Sequence, residues 1–251
     1  MKLISLNIWY GKLSFELSDF IRKHKDDTDI FCFQEVYEKE DNISKFDPDS
    51  ILTFQKIQEI LTNHIGYFED YVAPGKYDKM GLATFIRKDI QVNKTGEIFV
   101  YNPPDMGIAN LNPQTLWRNM QYLECAKSGK DFLIANLHGL FDFATKTRKE
   151  DTPDRLKQSE RVRELLDKYN CPKLLCGDFN LWPKTESLKI LAEGMRDLIK
   201  EFNITSTRSS FFNFDNKYAD YTLVSLEIKI NNFKILNDVV SDHLAMYLDF
   251  E

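Results

Sequence analysis

Residues 173–180 read KLLCGDFN: a short apolar run, a glycine, then an acid and an amide. The apolar part, 173–176, has no polar alternation and is bounded by a turn signal, so it reads as a short strand buried on both faces. The same arrangement recurs along the chain. Asn7 follows KLISL, Glu35 follows IFCFQ and His138 follows FLIANL. Asp178 and Asn180 follow KLLCG, Asp220 begins a strand carrying YTLVS, and Asp242 and His243 precede LAMYL. Apolar strands that each hand a polar side chain to one edge are how a rigid scaffold presents a site.

Working outward, residues 2–9, 28–36, 81–87, 220–225 and 243–250 read as further strands. Residues 121–126 and 131–137 flank Lys127-Ser128-Gly129-Lys130 and predict a hairpin. Four amphipathic stretches lie between the strands. Ser14 can cap a helix carrying Phe15, Leu17, Phe20 and Ile21. Asp49 or Ser50 opens a second helix through His64, with Leu52, Ile57, Ile60, Leu61 and Ile65 on one face. Residues 155–169 form a charged third helix with Leu156, Val162, Leu165, Leu166 and Tyr169 inward. Residues 186–193 form a fourth, stopped by Gly194. Strands with short hairpins and a few helices imply a mixed α/β (α+β) fold. Strict βαβ repetition is missing, which disfavours a doubly wound parallel sheet. No repeat or Gly/Ser- or Pro-rich linker divides the chain, so 1–251 is expected to be one domain.

With 251 residues, 43% hydrophobic and 29% charged, the chain has the composition of a globular protein with a large core. Its net charge of -6 and pI of about 5.4 do not suit non-specific coating of DNA, which depends on Lys and Arg neutralising phosphates. They do not exclude a nucleic-acid enzyme, because bound cations restore attraction at an acidic metal site. Cys32, Cys125, Cys171 and Cys176 form no C-x-x-C pair and are expected to be reduced, with one disulfide as the alternative. No stretch is apolar and long enough to span a membrane, and the N-terminus is too short and polar for a signal peptide. A cytoplasmic monomer with no obligate protein partner is the expectation.

Taken singly, each polar position has an ordinary reading. Asn7 is a turn residue, Glu35 a surface charge, Asp220 a strand-edge charge, and Gly177-Asp178 a common turn start. His24 and His64 read as helix-surface residues with no function. The set carries more weight, because metal ligands, a base and two imidazoles do not usually accumulate together by accident. In order, LNIW (6–9), FQEV (33–36), NLHGL (136–140), CGDFN (176–180), YADYTLVS (218–225) and SDHLAMYL (241–248) resemble the endonuclease/exonuclease/phosphatase superfamily over essentially the whole chain. That superfamily includes DNase I-like and exonuclease III-like nucleases, sphingomyelinases, inositol polyphosphate 5-phosphatases and tyrosyl-DNA phosphodiesterase type 2.

The resemblance implies a four-layer sandwich, two packed mixed sheets flanked by helices. It also implies metal-dependent hydrolysis of a phosphoester. Glu35 would hold the principal Mg²⁺, with Asn7 binding directly or through water and Asp242 completing the metal environment. Mn²⁺ is expected to substitute, being another octahedral oxygen binder. Asp178 would orient and deprotonate the attacking water, and Asn180 would position that water or a phosphate oxygen. His243 would contact the phosphoryl oxygen, held by Asp220, and His138 would offer a second donor. Arg118, Arg208 and Trp182 are softer candidates for substrate contact, each with a bland alternative as a surface or packing residue.

The substrate stays open. His138 stands where the apurinic-endonuclease branch has Tyr, and Trp9 and Tyr10 separate Asn7 from Gly11, so abasic-site repair is disfavoured. Nucleic acid or a DNA-end adduct is the leading expectation. A small or lipid phosphoester is the second, favoured by low basicity, and a non-catalytic binding module is the third. The loop at 141–154, with Lys146, Arg148 and Lys149 among acids, reads as solvated.

Overall fold

The computed structural model describes residues 1–38, 51–70, 79–101, 118–141 and 150–251. Its strands, in chain order, are β1 (Lys2–Asn7), β2 (Ile30–Tyr37), β3 (His64–Asp70), β4 (Met80–Arg87), β5 (Gln91–Tyr101) and β6 (Arg118–Lys127). They continue with β7 (Lys130–His138), β8 (Lys173–Asp178), β9 (Met195–Asp197), β10 (Asp220–Ser225), β11 (Ile230–Ile235) and β12 (Met246–Phe250). The helices are α1 (Ser14–His24), α2 (Phe54–Ile60), α3 (Pro153–Leu166), α4 (Glu186–Ala192) and α5 (Leu198–Glu201). One six-stranded sheet has the order β11-β12-β1-β2-β4-β3, the other β5-β6-β7-β8-β10-β9. Both are mixed, with parallel pairing at β1–β2 and at β7–β8.

The strand period decides which side chain goes to which layer. Along β1 and β2, Ile4, Leu6, Phe31 and Phe33 join α1 and α2 in one buried cluster with Leu17, Phe20, Ile21 and Ile57. The alternate residues Leu3, Ile30 and Cys32 belong to a second cluster with β6, β7, β8, β10 and α3–α5. Each fully buried Leu, Ile or Phe contributes about 1.5–3 kcal/mol. Helix, sheet, sheet and helix thus form four layers, as the resemblance implied. Cys32, Cys125, Cys171 and Cys176 are all free thiols. Among the described residues no helix is long and apolar enough to cross a membrane.

On the inner faces, polar groups bolt the sheets together. Gln34 Nε2 donates to Asn136 Oδ1 at 2.7 Å, and Asn136 Nδ2 donates to the Phe33 carbonyl at 3.1 Å. Thr84 Oγ1 donates to Gln121 Oε1 at 2.6 Å. A buried amide left unpaired costs about 1–3 kcal/mol, so these bonds favour one stacking register over its neighbours.

Several boundaries differ from the sequence reading. The first strand ends at Asn7, and Trp9–Gly11 is a 3₁₀ turn with positive φ at Trp9, Tyr10 and Gly11. Ser14 is the first residue of α1 and not its cap, and Phe15 is exposed. The second helix is shorter than expected: Thr53 accepts from Lys56 N and caps α2, while Ile65 lies in β3. Asp49 and Ser50 fall outside the described residues, as do Lys146, Arg148 and Lys149. Edge or half-exposed strands β3, β5, β9 and β11 had no clean alternation to reveal them.

Candidate active site

Parallel strands end on the same edge, and that property assembles the site. His138 is level with Asp178 across β7–β8, and Asp220 is level with Asp178 across the antiparallel β8–β10 pair. Three adjacent strands therefore place His138, Asp178 and Asp220 side by side. In the other sheet, Asn7 ends β1 level with Gln34. Glu35 follows in a bulge: the β2–β4 register slips between Phe33 and Val36, and Glu35 takes φ 59°. A positive φ at a non-glycine costs about 1–2 kcal/mol. Without that bulge, strand alternation would turn Glu35 toward the helix layer instead of the rim.

Of these, Glu35, His138 and Asp178 line a cavity of about 290 Å³, walled also by Trp9, Tyr10, Leu140, Phe141 and Phe212. Asn7 Nδ2 bridges the carboxylates, 3.1 Å from Glu35 Oε1 and 3.1 Å from Asp178 Oδ2, while its oxygen accepts the Trp9 N–H at 3.0 Å. His138 Nε2 lies 3.8 Å from each of the same two oxygens. Asp178 Oδ1 accepts the Asn180 N–H at 3.0 Å, and Asn180 Nδ2 donates to the Gly139 carbonyl at 3.2 Å. Opposite, His243 Nδ1 sits 2.8 and 2.9 Å from the oxygens of Asp220, whose Oδ2 also accepts the Thr207 hydroxyl at 2.7 Å. The proton therefore belongs on Nδ1, which leaves Nε2 facing Asp178 Oδ2 at 3.6 Å and in contact with the Arg208 guanidinium. Arg208 also pairs with Asp242 at 3.2 Å and lies over the Phe212 ring.

Electrostatics separate the groups into distinct states. Burial, with Asp242 and Asp178 nearby, pushes the Glu35 carboxyl up to about 7 despite the Asn7 bond. Burial first, then the positive charge of Arg118, with His243 (when protonated) and Arg208 acting the same way, holds His138 well below the usual histidine range, so its ring is neutral. A buried carboxyl that resists ionising beside two others suits a hard divalent cation, and Glu35, Asp178 and Asp242 offer the oxygen donors. Asp178, Asp220 and His243 also bring potential ligand atoms within 4.8 Å of one another. There, however, Asp220 and His243 satisfy each other and Thr207, so that trio reads better as a hydrogen-bonded chain than as a ligand set.

The Endonuclease/Exonuclease/phosphatase family matches residues 4–243. The chain belongs to that family. Among solved structures, this family member is similar to a mannosyl-6-phosphatase of Bacteroides thetaiotaomicron, with TM-score 0.75, 18% identity and coverage of 100% of this chain and 99% of that one. The human Nocturnin catalytic domain with bound sulfate gives TM-score 0.67 and 20% identity over 100% and 94%. TDP2 of D. rerio, humanized by mutation, gives TM-score 0.70 and 15% identity over 100% and 98%. By sequence, no curated protein matches. At these identities the structural likeness establishes the fold.

Of the residues read from sequence in this family member, Glu35, Arg118, His138, Asp178, Asn180, Arg208, Asp242 and His243 line the cavity. Asn7 and Asp220 bond to them from behind. Trp182 does not reach the cavity and lines a neighbouring hollow instead. Sequence reasoning missed Thr207, which no motif marks. It also missed Ser241, whose hydroxyl donates to the Asn7 carbonyl at 2.6 Å and accepts the His243 N–H at 3.2 Å. Ser241 lies beside Asp242 and His243 in SDHLAMYL, but a serine at that place carries no signal of its own. The inward polar stripe of α3 was missed too. Arg155 donates to the Leu140 carbonyl and Gln158 accepts the Leu140 N–H, which fixes the segment whose Gly139 carbonyl holds Arg118 and Asn180.

Proposed function

We propose that this chain is a divalent-metal-dependent phosphoester hydrolase that cleaves phosphodiester bonds by in-line attack of an activated water, acting on nucleic acid or on adducts at DNA ends. The observation that carries the reading is the convergence of Glu35, Asp178, His138 and the Asp220-bound His243 on one cavity. Glu35 and Asp242 would hold Mg²⁺, with Mn²⁺ as a substitute. Asn7 presents its amide nitrogen to the carboxylates, so in this arrangement it orients Glu35 and Asp178. Bound there, the cation supplies charge neutralisation at the phosphoryl oxygens and the leaving oxygen.

Asp178 is the base. Its Oδ1 accepts the Asn180 N–H and its Oδ2 accepts the Asn7 amide; the remaining lone pair of Oδ2, the oxygen that His243 approaches, takes the proton from water. Asn180 aligns that carboxylate and borders the water's position. His243 presents Nε2 to a phosphoryl oxygen, and Asp220 stabilises the charge the imidazole acquires if it is protonated there. Arg208 and Arg118 add positive charge to the same wall. Neutral His138 can donate to the leaving oxygen without adding repulsion against either arginine.

The test is hydrolysis of bis-p-nitrophenyl phosphate with Mg²⁺, Mn²⁺ or EDTA, with Asp178→Asn as the control. General-base catalysis contributes about 10²–10⁴-fold, and a loss of that size is expected in the variant. Turnover that survives EDTA, or survives in the variant, would reject the assignment. A second reading is a phosphatase or phosphodiesterase for a small or lipid phosphoester. The net charge of -6 and the modest cavity favour it, and the mannosyl-6-phosphatase is a fold neighbour of that kind.

A further inference from the structure

Two chain segments leave the catalytic cavity together. One begins at Asn180 and continues through Trp182 to Lys184. The other begins at Phe212 and continues through Phe214 to Tyr218. Their far ends wall a second hollow of about 380 Å³. Two residues span at most about 7 Å, so Trp182 stands within that distance of Asn180 along the chain. The hollow therefore opens beside the catalytic cavity, bordered by later residues of the same two segments, although no residue lines both.

Its lining is unlike that of the cavity. Trp182 is 38% exposed, although burying so large an apolar side chain is normally favourable. Pro183 and Tyr218 complete an apolar slot. Lys184 and Lys217 stand on its rim with Asp215 and Asn216; both lysines are exposed and neither is in an ion pair among the described residues, so the rim sets two positive charges against one negative. An apolar slot with an aromatic wall accepts a flat ring, and the flanking ammonium groups accept the anions attached to it.

We propose that this slot is a subsite for a single-stranded polynucleotide whose scissile phosphate occupies the catalytic cavity. One base would stack on Trp182 and Tyr218, and the adjoining phosphates would lie against Lys184 and Lys217. A single strand fits, because a duplex keeps its base faces stacked and out of reach. A lipid surface fits less well: it would meet the exposed Phe211 and Phe214 but would not fill a concave slot. The proposal rests on the phosphoester-hydrolase reading and adds the occupant.

The experiment compares wild type, Trp182→Ala and Lys184→Ala/Lys217→Ala. The substrates are a labelled oligo-dT and bis-p-nitrophenyl phosphate, with Mg²⁺, and phosphatidylcholine–phosphatidylserine vesicles serve as a third probe. All three side chains are exposed, so the variants are expected to fold. In Trp182→Ala the ratio of kcat/KM on oligo-dT to that on bis-p-nitrophenyl phosphate should fall about tenfold, mainly through KM. In the double lysine variant the slope of log affinity for oligo-dT against log salt should become shallower by about 1.4, the contribution of two phosphates on a single strand. An unchanged ratio and slope overturn the proposal. So does wild-type turnover of bis-p-nitrophenyl phosphate with no oligonucleotide cleavage, which leaves the hydrolase reading standing. Vesicle binding lost in Trp182→Ala, with no effect on the oligonucleotide, overturns it in favour of lipid. Absence of turnover on both phosphodiesters removes the hydrolase reading and the proposal with it.

Discussion

Glu35→Gln should stabilise the metal-free protein at neutral pH while abolishing its response to Mg²⁺. The Glu35 carboxyl is only 16% exposed, and burial beside Asp242 and Asp178 moves it from an ordinary 4.5 to about 7. The folded protein thus keeps the Glu35 proton over a pH range in which the unfolded chain has lost it. Stability from this group is fully present below about 4.5 and falls as pH rises through the window up to about 7. A shift of that size corresponds to about 3 kcal/mol. Glutamine matches the neutral carboxyl in shape and does not titrate, so the variant should lack this decline. The assay is urea unfolding of both proteins in EDTA across about pH 5 to 8, followed by the same series with Mg²⁺. Above pH 7 the metal-free variant should be more stable than wild type by about 3 kcal/mol. Mg²⁺ should close or reverse that gap by binding the ionised form of wild type, with an affinity that weakens as pH falls below 7. Parallel stability curves for the two proteins in EDTA, or equal stabilisation of both by Mg²⁺, would refute the reasoning.

Asp220→Asn removes the charge that fixes the His243 tautomer, so kcat on bis-p-nitrophenyl phosphate should fall about 10²–10⁴-fold with an unchanged circular-dichroism spectrum. Thr207→Val, which deletes one bond to that carboxylate, should cost about tenfold or less in the same assay. Gly11→Ala places a Cβ 2.5 Å from the Leu52 carbonyl at φ 70°, where backbone cannot give way; a loss of about 1–3 kcal/mol is expected by urea unfolding, and wild-type stability would show that the turn relaxes freely. Asn136→Leu strips Gln34 and the Phe33 carbonyl of their cross-sheet partner and should destabilise by about 1–3 kcal/mol, with a lower kcat that added Mg²⁺ does not restore.

How legible the fold was depended on burial. β1, β2, β4, β8 and parts of β6 and β7 are legible as strands because they are largely buried and mostly apolar, although β1 stops two residues short of the expected 2–9 and β6 starts three residues before the expected 121. β5 and β11 are half-exposed, and their sequences mix polar and apolar residues without a period. In α3 the rule that apolar residues face inward hid the fully buried Arg155, Gln158 and Ser159, the first two of which bond to the backbone of Leu140, outside the helix. The site was more legible than the fold around it, since each strand end carries its polar residue next to an obvious apolar run. What the sequence could not reveal was geometry set by exceptions. Glu35 and Asn180 adopt positive φ with no glycine to announce it. Trp182 sits only two residues beyond Asn180 and yet faces a different hollow.

The site is divided between the two sheets, and that division explains why a polar bolt is placed where it is. Asn7 and Glu35 come from the first sheet and the Asp242–His243 segment leads into its strand β12, whereas His138, Asp178 and Asp220 come from the second. No single sheet holds a complete set, so a slide of one sheet by a fraction of a strand spacing would separate Asn7 from Asp178 and His243 from Asp220. Apolar packing alone resists such a slide weakly, because hydrophobic attraction has no direction. Gln34 immediately precedes Glu35, Asn136 lies two residues before His138, and their 2.7 Å hydrogen bond crosses the interface beneath both. A directional bond at that point ties the two halves of the site within a residue or two of the groups that must meet. The cost of burying two amides is thus offset where positional error would harm the chemistry most, and for that reason Asn136→Leu should impair turnover as well as stability.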